Sequence, residues 1–157
     1  MTKFDPTALP QIRRWLEHVQ PDPSKRRIST FVTANTTLAG AAALSAIYFP
    51  RFKKYRGCYL IDEGAGGKLS PHRRDAVDGW LTQLGDDLGA VERLVNHLRP
   101  ADLYINDPDA DDEGLSYLAE VLAFSWAIAA GQQFPAQEFR TLVEYGVDPE
   151  VTIFAIR

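Results

Sequence analysis

The stretch that decides the fold is EGLSYLAEVLAFSWAIAAG, residues 113–131. Its large apolar side chains form two stripes at helical spacing: Leu115, Leu118, Leu122 and Trp126 in one, and Tyr117, Val121, Phe124 and Ile128 in the other. Between these stripes only Ser116 and Glu120 are strongly polar. A helix that is apolar on nearly all sides is typical of the middle of a domain. The stretch therefore predicts a central, buried helix.

Around this helix, apolar residues spaced by three and four predict further helices at 10–20, 71–84, 88–98 and 136–146. Pro10 and Pro71 suit first helical turns, and Ser70 suits the capping position before the second of these helices. For the alanine-rich run that ends before Pro50, Asn35 or Thr36 is the expected cap.

Short strands are predicted at 52–55 and 58–61, which form either a hairpin with a tight turn at Arg56-Gly57 or one bent strand, and at 102–105 and 151–156. Helices and strands do not alternate regularly, so the predicted class is α+β. The whole chain, 1–157, is expected to form a single, predominantly helical domain with a few short strands around the central helix. A chain of this length buries a full core without disulfides or metals.

Residues 28–50 carry no charge and are flanked by basic residues on both sides. The length suits a membrane span. However, hydroxyl and amide side chains interrupt its first half, and much of the second half is alanine. A buried strand at 28–35 followed by a buried helix is the preferred interpretation, and no membrane partner is expected.

Charge is distributed unevenly along the chain. Residues 1–74 carry a net charge of +8, residues 75–157 carry −12, and the total is −4. An acidic half can steer a basic partner at long range. The single cysteine, Cys58, excludes an internal disulfide and a multi-cysteine zinc site. The start of the sequence lacks an apolar segment of signal-peptide length, so a cytoplasmic location is expected.

The densest acidic segment is NDPDADDEG, residues 106–114, immediately before the central helix. It nearly fits a calcium loop, with Asp109, Asp111, Glu113, Gly114 and Glu120 at loop positions 1, 3, 5, 6 and 12. Pro108 and the length of Glu113 oppose that fit, and no second such loop is present. Two alternatives remain: a solvated acidic turn that favours the helix dipole, or a partner-binding surface.

Other patterns favour no catalytic or cofactor site. The glycine-rich residues 63–69 have the wrong spacing for a phosphate loop, and Leu69 replaces the Ser or Thr that binds magnesium. Cys58 begins an apolar run and is expected to be a buried small residue rather than a nucleophile. The three histidines lack metal-ligand spacing. Aromatic and basic residues alternate over 49–59, which is compatible with single-stranded nucleic acid but equally with a half-buried strand.

Two segments, YFPRFKKYRGCYLI at 48–61 and VERLVNHLRPADLYI at 91–105, resemble parts of small bacterial cytoplasmic proteins encoded beside polymorphic toxins. Those proteins are of the immunity type, and the resemblance implies no catalytic residue. It implies a non-enzymatic protein that occludes a basic toxin, without a cofactor. Expected partner-binding residues are those of the acidic segment: Asp107, Asp109, Asp111, Asp112 and Glu113. The alternatives are a small enzyme with an unrecognised site, or a nucleic-acid or assembly module that uses the basic N-terminal half.

Overall fold

The computed structural model of the protein describes residues 4–62, 69–108 and 110–157. Helices are α1 (Pro10–Val19), α2 (Ile28–Asn35), α3 (Leu38–Tyr48), α4 (Pro71–Gln83), α5 (Leu88–Val95), α6 (Pro100–Leu103) and α7 (Asp112–Gln133). Strands are β1 (Arg51–Tyr55), β2 (Cys58–Asp62), β3 (His97–Leu98), β4 (Phe139–Glu144) and β5 (Glu150–Ala155). This predominantly helical α+β arrangement confirms the fold class predicted from the sequence.

Helix α7 is the central helix that the sequence predicts. Leu122, Trp126 and Ala130 on this helix are buried in the main core cluster. It packs against α3 and α6 and against strands of both sheets. The indole Nε1 of Trp126 donates a 2.8 Å hydrogen bond to the carbonyl oxygen of Ile47, which fixes the end of α3 on α7. By length and apolarity α7 meets the criteria for a membrane span, but core helices meet them too, and 44% of its most apolar window is buried within the fold.

The two sheets are both antiparallel. β1 and β2 form a hairpin in which Tyr55 pairs with Cys58. Its two-residue turn has positive φ at both positions, 51° at Arg56 and 87° at Gly57, as the tight hairpin turn requires. Of the two alternatives that the sequence leaves open, the hairpin is therefore confirmed and the single bent strand is wrong. The second sheet has the order β3-β5-β4, so the buried strand β5 lies in its middle.

Helix α5 joins the two sheets through two buried polar side chains. The Glu92 carboxylate, 0% exposed, accepts hydrogen bonds from the backbone N–H groups of Tyr59 (2.6 Å) on β2 and Ala155 (2.7 Å) on β5. It also pairs with the guanidinium of Arg157 at 2.7 Å. Asn96, about one helical turn after Glu92, also links β2 to β5. Its amide oxygen accepts from Ile61 N–H at 2.9 Å, and its amide nitrogen donates to the carbonyl oxygens of Tyr59 at 2.7 Å and Ile153 at 3.2 Å.

Three predicted elements are wrong in type. Residues 136–146, expected to be a helix, contain strand β4, because pairing with β5 outweighs local helical spacing. Residues 102–105, expected to be a strand, belong to the short helix α6 and the turn after it, since Pro100 starts a helical turn. Residues 28–35 form helix α2 rather than a strand, and Thr37 caps α3 instead of Asn35 or Thr36.

The other helices lie close to their predicted positions. Pro10 and Pro71 occupy first turns, and the Ser70 hydroxyl accepts from Arg73 N–H as the cap of α4. Helix α5 ends at Val95, earlier than expected, because the chain then pairs with β5 as strand β3.

Candidate functional site

The acidic segment, residues 106–114, leads into the first turn of α7. Asp111 is the N-cap residue: its Oδ1 accepts from Gly114 N–H at 2.7 Å, and its Oδ2 accepts from the side-chain amide of Gln11 at 2.9 Å. Asp112 and Glu113 lie in the first helical turn and are exposed to solvent, where the helix dipole favours negative charge. Asp107 is exposed, and Asp109 lies outside the described residues.

The calcium register does not fit this geometry. Gly114 and everything up to the expected final ligand, Glu120, lie on one continuous helix. Glu113 and Glu120 are therefore about 10 Å apart along the helix axis, at 1.5 Å per residue, instead of wrapping around an ion. Among the described residues, no group of three or more His, Cys, Asp or Glu side chains is arranged to hold a metal.

Further carboxylates extend the acidic segment across neighbouring elements. Glu120 follows Glu113 by seven residues and so lies on the same side of α7. Its Oε1 accepts a 3.0 Å hydrogen bond from the Tyr145 hydroxyl, and this bond raises the pKa of that phenol. Arg99 then ties α6 to the β4–β5 turn by contacting Asp102 at 3.3 Å and Asp148 at 3.1 Å. The β4–β5 turn is thereby linked both to α7, through Tyr145 and Glu120, and to the start of α6, through Arg99.

Large apolar side chains are exposed among these carboxylates. Ile105, between α6 and the acidic segment, is 79% exposed, and Val147, in the β4–β5 turn, is 81% exposed. Tyr145 in the same turn is 66% exposed. We call the following set the acidic face: Asp102, Ile105, Asp107, Asp111, Asp112, Glu113, Glu120, Tyr145, Val147 and Asp148. Exposed apolar anchors surrounded by charge are typical of protein-binding surfaces.

The sequence identified four carboxylates of this face, Asp107, Asp111, Asp112 and Glu113, but not Asp102, Glu120, Asp148 or the apolar members. Ile105 was assigned to a strand, and the β4–β5 turn to the end of a helix. A surface assembled from two turns and a helix start carries no continuous motif. The available signal was the pair of bulky residues on either side of Gly146, which is unusual in a turn exposed to water.

An apolar cavity of about 570 Å³ lies between α3, the hairpin, α6 and α7. Ile47, Ile61 and Trp126 line it, and the charged pair Arg51 and Asp62, opposite each other in the hairpin, is also in its wall. This size is in the range of small-molecule sites. The sequence did not reveal the cavity, because its wall comes from residues far apart in the chain.

Cys58 is buried as expected. Its thiol contacts the carbonyl oxygen of Leu88 at 3.9 Å. Burial, reinforced by the nearby Glu92 carboxylate, raises the pKa of the thiol to about 11. His18, His72 and His97 are all exposed. A protonated thiol is a poor nucleophile, so Cys58 is not prepared for nucleophilic catalysis.

The aromatic residues of the basic segment 49–59 pack mostly inwards. Phe52 is buried, and the Tyr59 ring packs edge-on against Phe134 at 4.9 Å and Phe139 at 5.2 Å. Arg56 is paired with Asp78 at 3.2 Å. Rings held in this way are not free to stack on nucleic acid bases. The glycine-rich residues 63–68, considered above as a phosphate loop, lie outside the described residues.

Comparison with protein-family models, with curated proteins and with solved structures found no match to this chain.

Proposed function

We propose that this protein is a non-enzymatic binding domain of the immunity type, which neutralises a basic bacterial toxin by covering its active site. The observation that carries the proposal is the acidic face, where Ile105, Tyr145 and Val147 are exposed close in the chain to carboxylates and Tyr145 is hydrogen-bonded to Glu120. The toxin as partner is suggested only by the sequence resemblance and is part of the proposal.

Charge and apolar contact would have separate roles in this binding. Asp107, Asp112 and Glu113 are exposed, so they attract a cationic partner but add little affinity each. The apolar anchors would supply most of the holding energy, because truncating one well-buried anchor at an interface typically costs about 2 kcal/mol or more. Asp111 has a structural role, since one of its oxygens caps α7 and the other accepts a hydrogen bond from Gln11 on α1.

The test is a comparison of two triple variants with the same change in charge. In the first, Asp107→Asn, Asp112→Asn and Glu113→Gln neutralise the acidic face and leave the Asp111 cap intact. The matched control neutralises three exposed carboxylates elsewhere: Asp75→Asn, Asp86→Asn and Glu138→Gln. The probe is the toxin-like protein encoded beside the native gene, expressed with this chain and checked for inhibition of its activity.

The proposal expects the acidic-face variant to bind the partner about ten-fold or more weakly, which corresponds to roughly 1.4 kcal/mol, and to inhibit it correspondingly less. The control variant should retain nearly native affinity. If both variants lost affinity equally, only net charge would matter and the assignment to this face would be wrong. If no neighbouring basic protein bound at all, the immunity role itself would be refuted.

A further inference from the structure

Helices α2 and α3, which we call the apolar arm, are anchored by Phe31 on Trp15 and by Ile47 and Tyr48 on the core, and most of their other side chains are exposed. No residue of either helix is buried, and Leu38 is 88% exposed. The side chains from residue 28 to residue 50 carry no charge. The buried strand and buried helix expected here are therefore wrong. An apolar surface of this kind on a folded protein usually marks an interaction site.

Several polar side chains in the arm are hydrogen-bonded to their own helix. The Thr33 hydroxyl donates to the Ser29 carbonyl oxygen at 2.8 Å, and the Asn35 amide donates to that of Phe31 at 2.9 Å. The Ser45 hydroxyl likewise donates to a carbonyl oxygen one turn earlier, at 2.7 Å. Because these donors are already satisfied within the helix, moving them out of water costs less free energy.

Basic residues stand at both ends of the arm. Arg27 immediately precedes α2 and is exposed, and Lys53 and Lys54 follow α3 on the hairpin. Residues 1–74, the half of the chain that contains the arm, carry a net charge of +8. Cations beside an apolar segment complement anionic lipid headgroups, and each Lys or Arg near such a surface strengthens binding.

The geometry of the arm does not fit a single straight transmembrane helix. Its longer helix, α3, has 11 residues and is therefore about 16 Å long, roughly half of the hydrocarbon core of a bilayer. The pair would be long enough only together, but α2 and α3 meet at an angle of 114°. We propose that the arm docks on the surface of an anionic lipid bilayer, with its apolar side chains at the headgroup boundary and its basic flanks on the headgroups. This inference is independent of the proposed protein-binding function.

The experiment is co-sedimentation of the full chain with vesicles of phosphatidylcholine containing one-fifth phosphatidylglycerol, and with pure phosphatidylcholine vesicles. The key variant is Leu38→Asp. Leu38 is the first residue after the Thr37 cap, a position where a carboxylate suits the helix dipole, so this variant should fold. The matched control is Leu94→Asp, the same change at a 41% exposed leucine on α5.

The proposal expects binding to the anionic vesicles that weakens with added salt, and a loss of about ten-fold or more in Leu38→Asp. The control should bind like the native chain. Equal binding to neutral vesicles, or equal loss in both variants, would overturn the proposal. The proposal would also be overturned if the chain did not bind vesicles and instead formed a dimer in sedimentation equilibrium that Leu38→Asp dissociates. The arm would then cover a second copy of the chain.

Discussion

The bridge made by Glu92 between the two sheets gives the sharpest stability prediction. In Glu92→Ala, the N–H groups of Tyr59 and Ala155 lose their acceptor, and each unsatisfied buried group costs about 1–3 kcal/mol. Arg157 also loses its partner, but its side chain is about one-third exposed and can be hydrated, so this loss is small. The expected destabilisation is therefore about 3–5 kcal/mol, a large part of the 5–15 kcal/mol typical of a domain.

The assay is urea-induced unfolding followed by far-ultraviolet circular dichroism, with the free energy of unfolding compared at equal m-values. Arg157→Gln is the informative partner variant, because it removes the charge pair but leaves both backbone bonds to Glu92. It should cost clearly less than Glu92→Ala, about 1–2 kcal/mol. If Glu92→Ala lowered the free energy of unfolding by less than about 1 kcal/mol, accepting the two backbone hydrogen bonds would not be the main role of this carboxylate. The same conclusion would follow if Arg157→Gln were as destabilising as Glu92→Ala.

Three further predictions concern local features. Gly57→Ala should destabilise the protein by about 1–2 kcal/mol in the same urea assay, because φ is +87° at this position and the new Cβ would lie 3.0 Å from the Leu88 side chain. Gly131→Ala should instead stabilise the protein by up to about 1 kcal/mol, because a Cβ at this position on α7 would lie in open space. Asp111→Ala should lower the free energy of unfolding by about 1 kcal/mol through loss of the cap, whereas Asp111→Asn should lower it by a few tenths of a kcal/mol. Equal decreases in the melting temperature of the two variants would contradict this. The Cys58 thiol has an ordinary pKa of 9.0 that burial raises to about 11, so its stabilising contribution is complete below pH 9 and is lost as the pH rises through about 11. Native protein should thus lose more stability than Cys58→Ala over that interval, and parallel pH profiles would refute the shift.

Local sequence predicted those elements whose structure is determined locally. The hairpin at 51–62 follows from turn chemistry at Arg56-Gly57, and α7 from apolar residues on every side of a long segment. Strand β4 was missed because its identity depends on pairing with β5, which adjacent residues do not reveal. Helix α2 was missed because its β-branched residues favour a strand, whereas Trp15 packs edge-on against Phe31 at 5.3 Å and holds the helical form against α1.

The candidate site was predictable only in its charge. The acidic segment is visible in composition, but the apolar anchors beside it come from two distant turns.

The buried roles of Glu92 and Asn96 were not predicted, because their partners are backbone atoms of remote strands. A polar pair four residues apart, each member directly after a valine of the buried face (Val91 and Val95), is the signal that would have revealed them.

The most direct test of the proposed function is the salt dependence of the association rate constant with the toxin-like partner, measured by stopped-flow mixing. If the acidic face steers binding, that constant should fall by about ten-fold or more between 50 and 500 mM salt, with the dissociation rate nearly unchanged. The variant with Asp107, Asp112 and Glu113 neutralised should start from a lower rate and show a shallower slope. A rate constant independent of salt, or an unchanged slope in that variant, would contradict recognition through the acidic face.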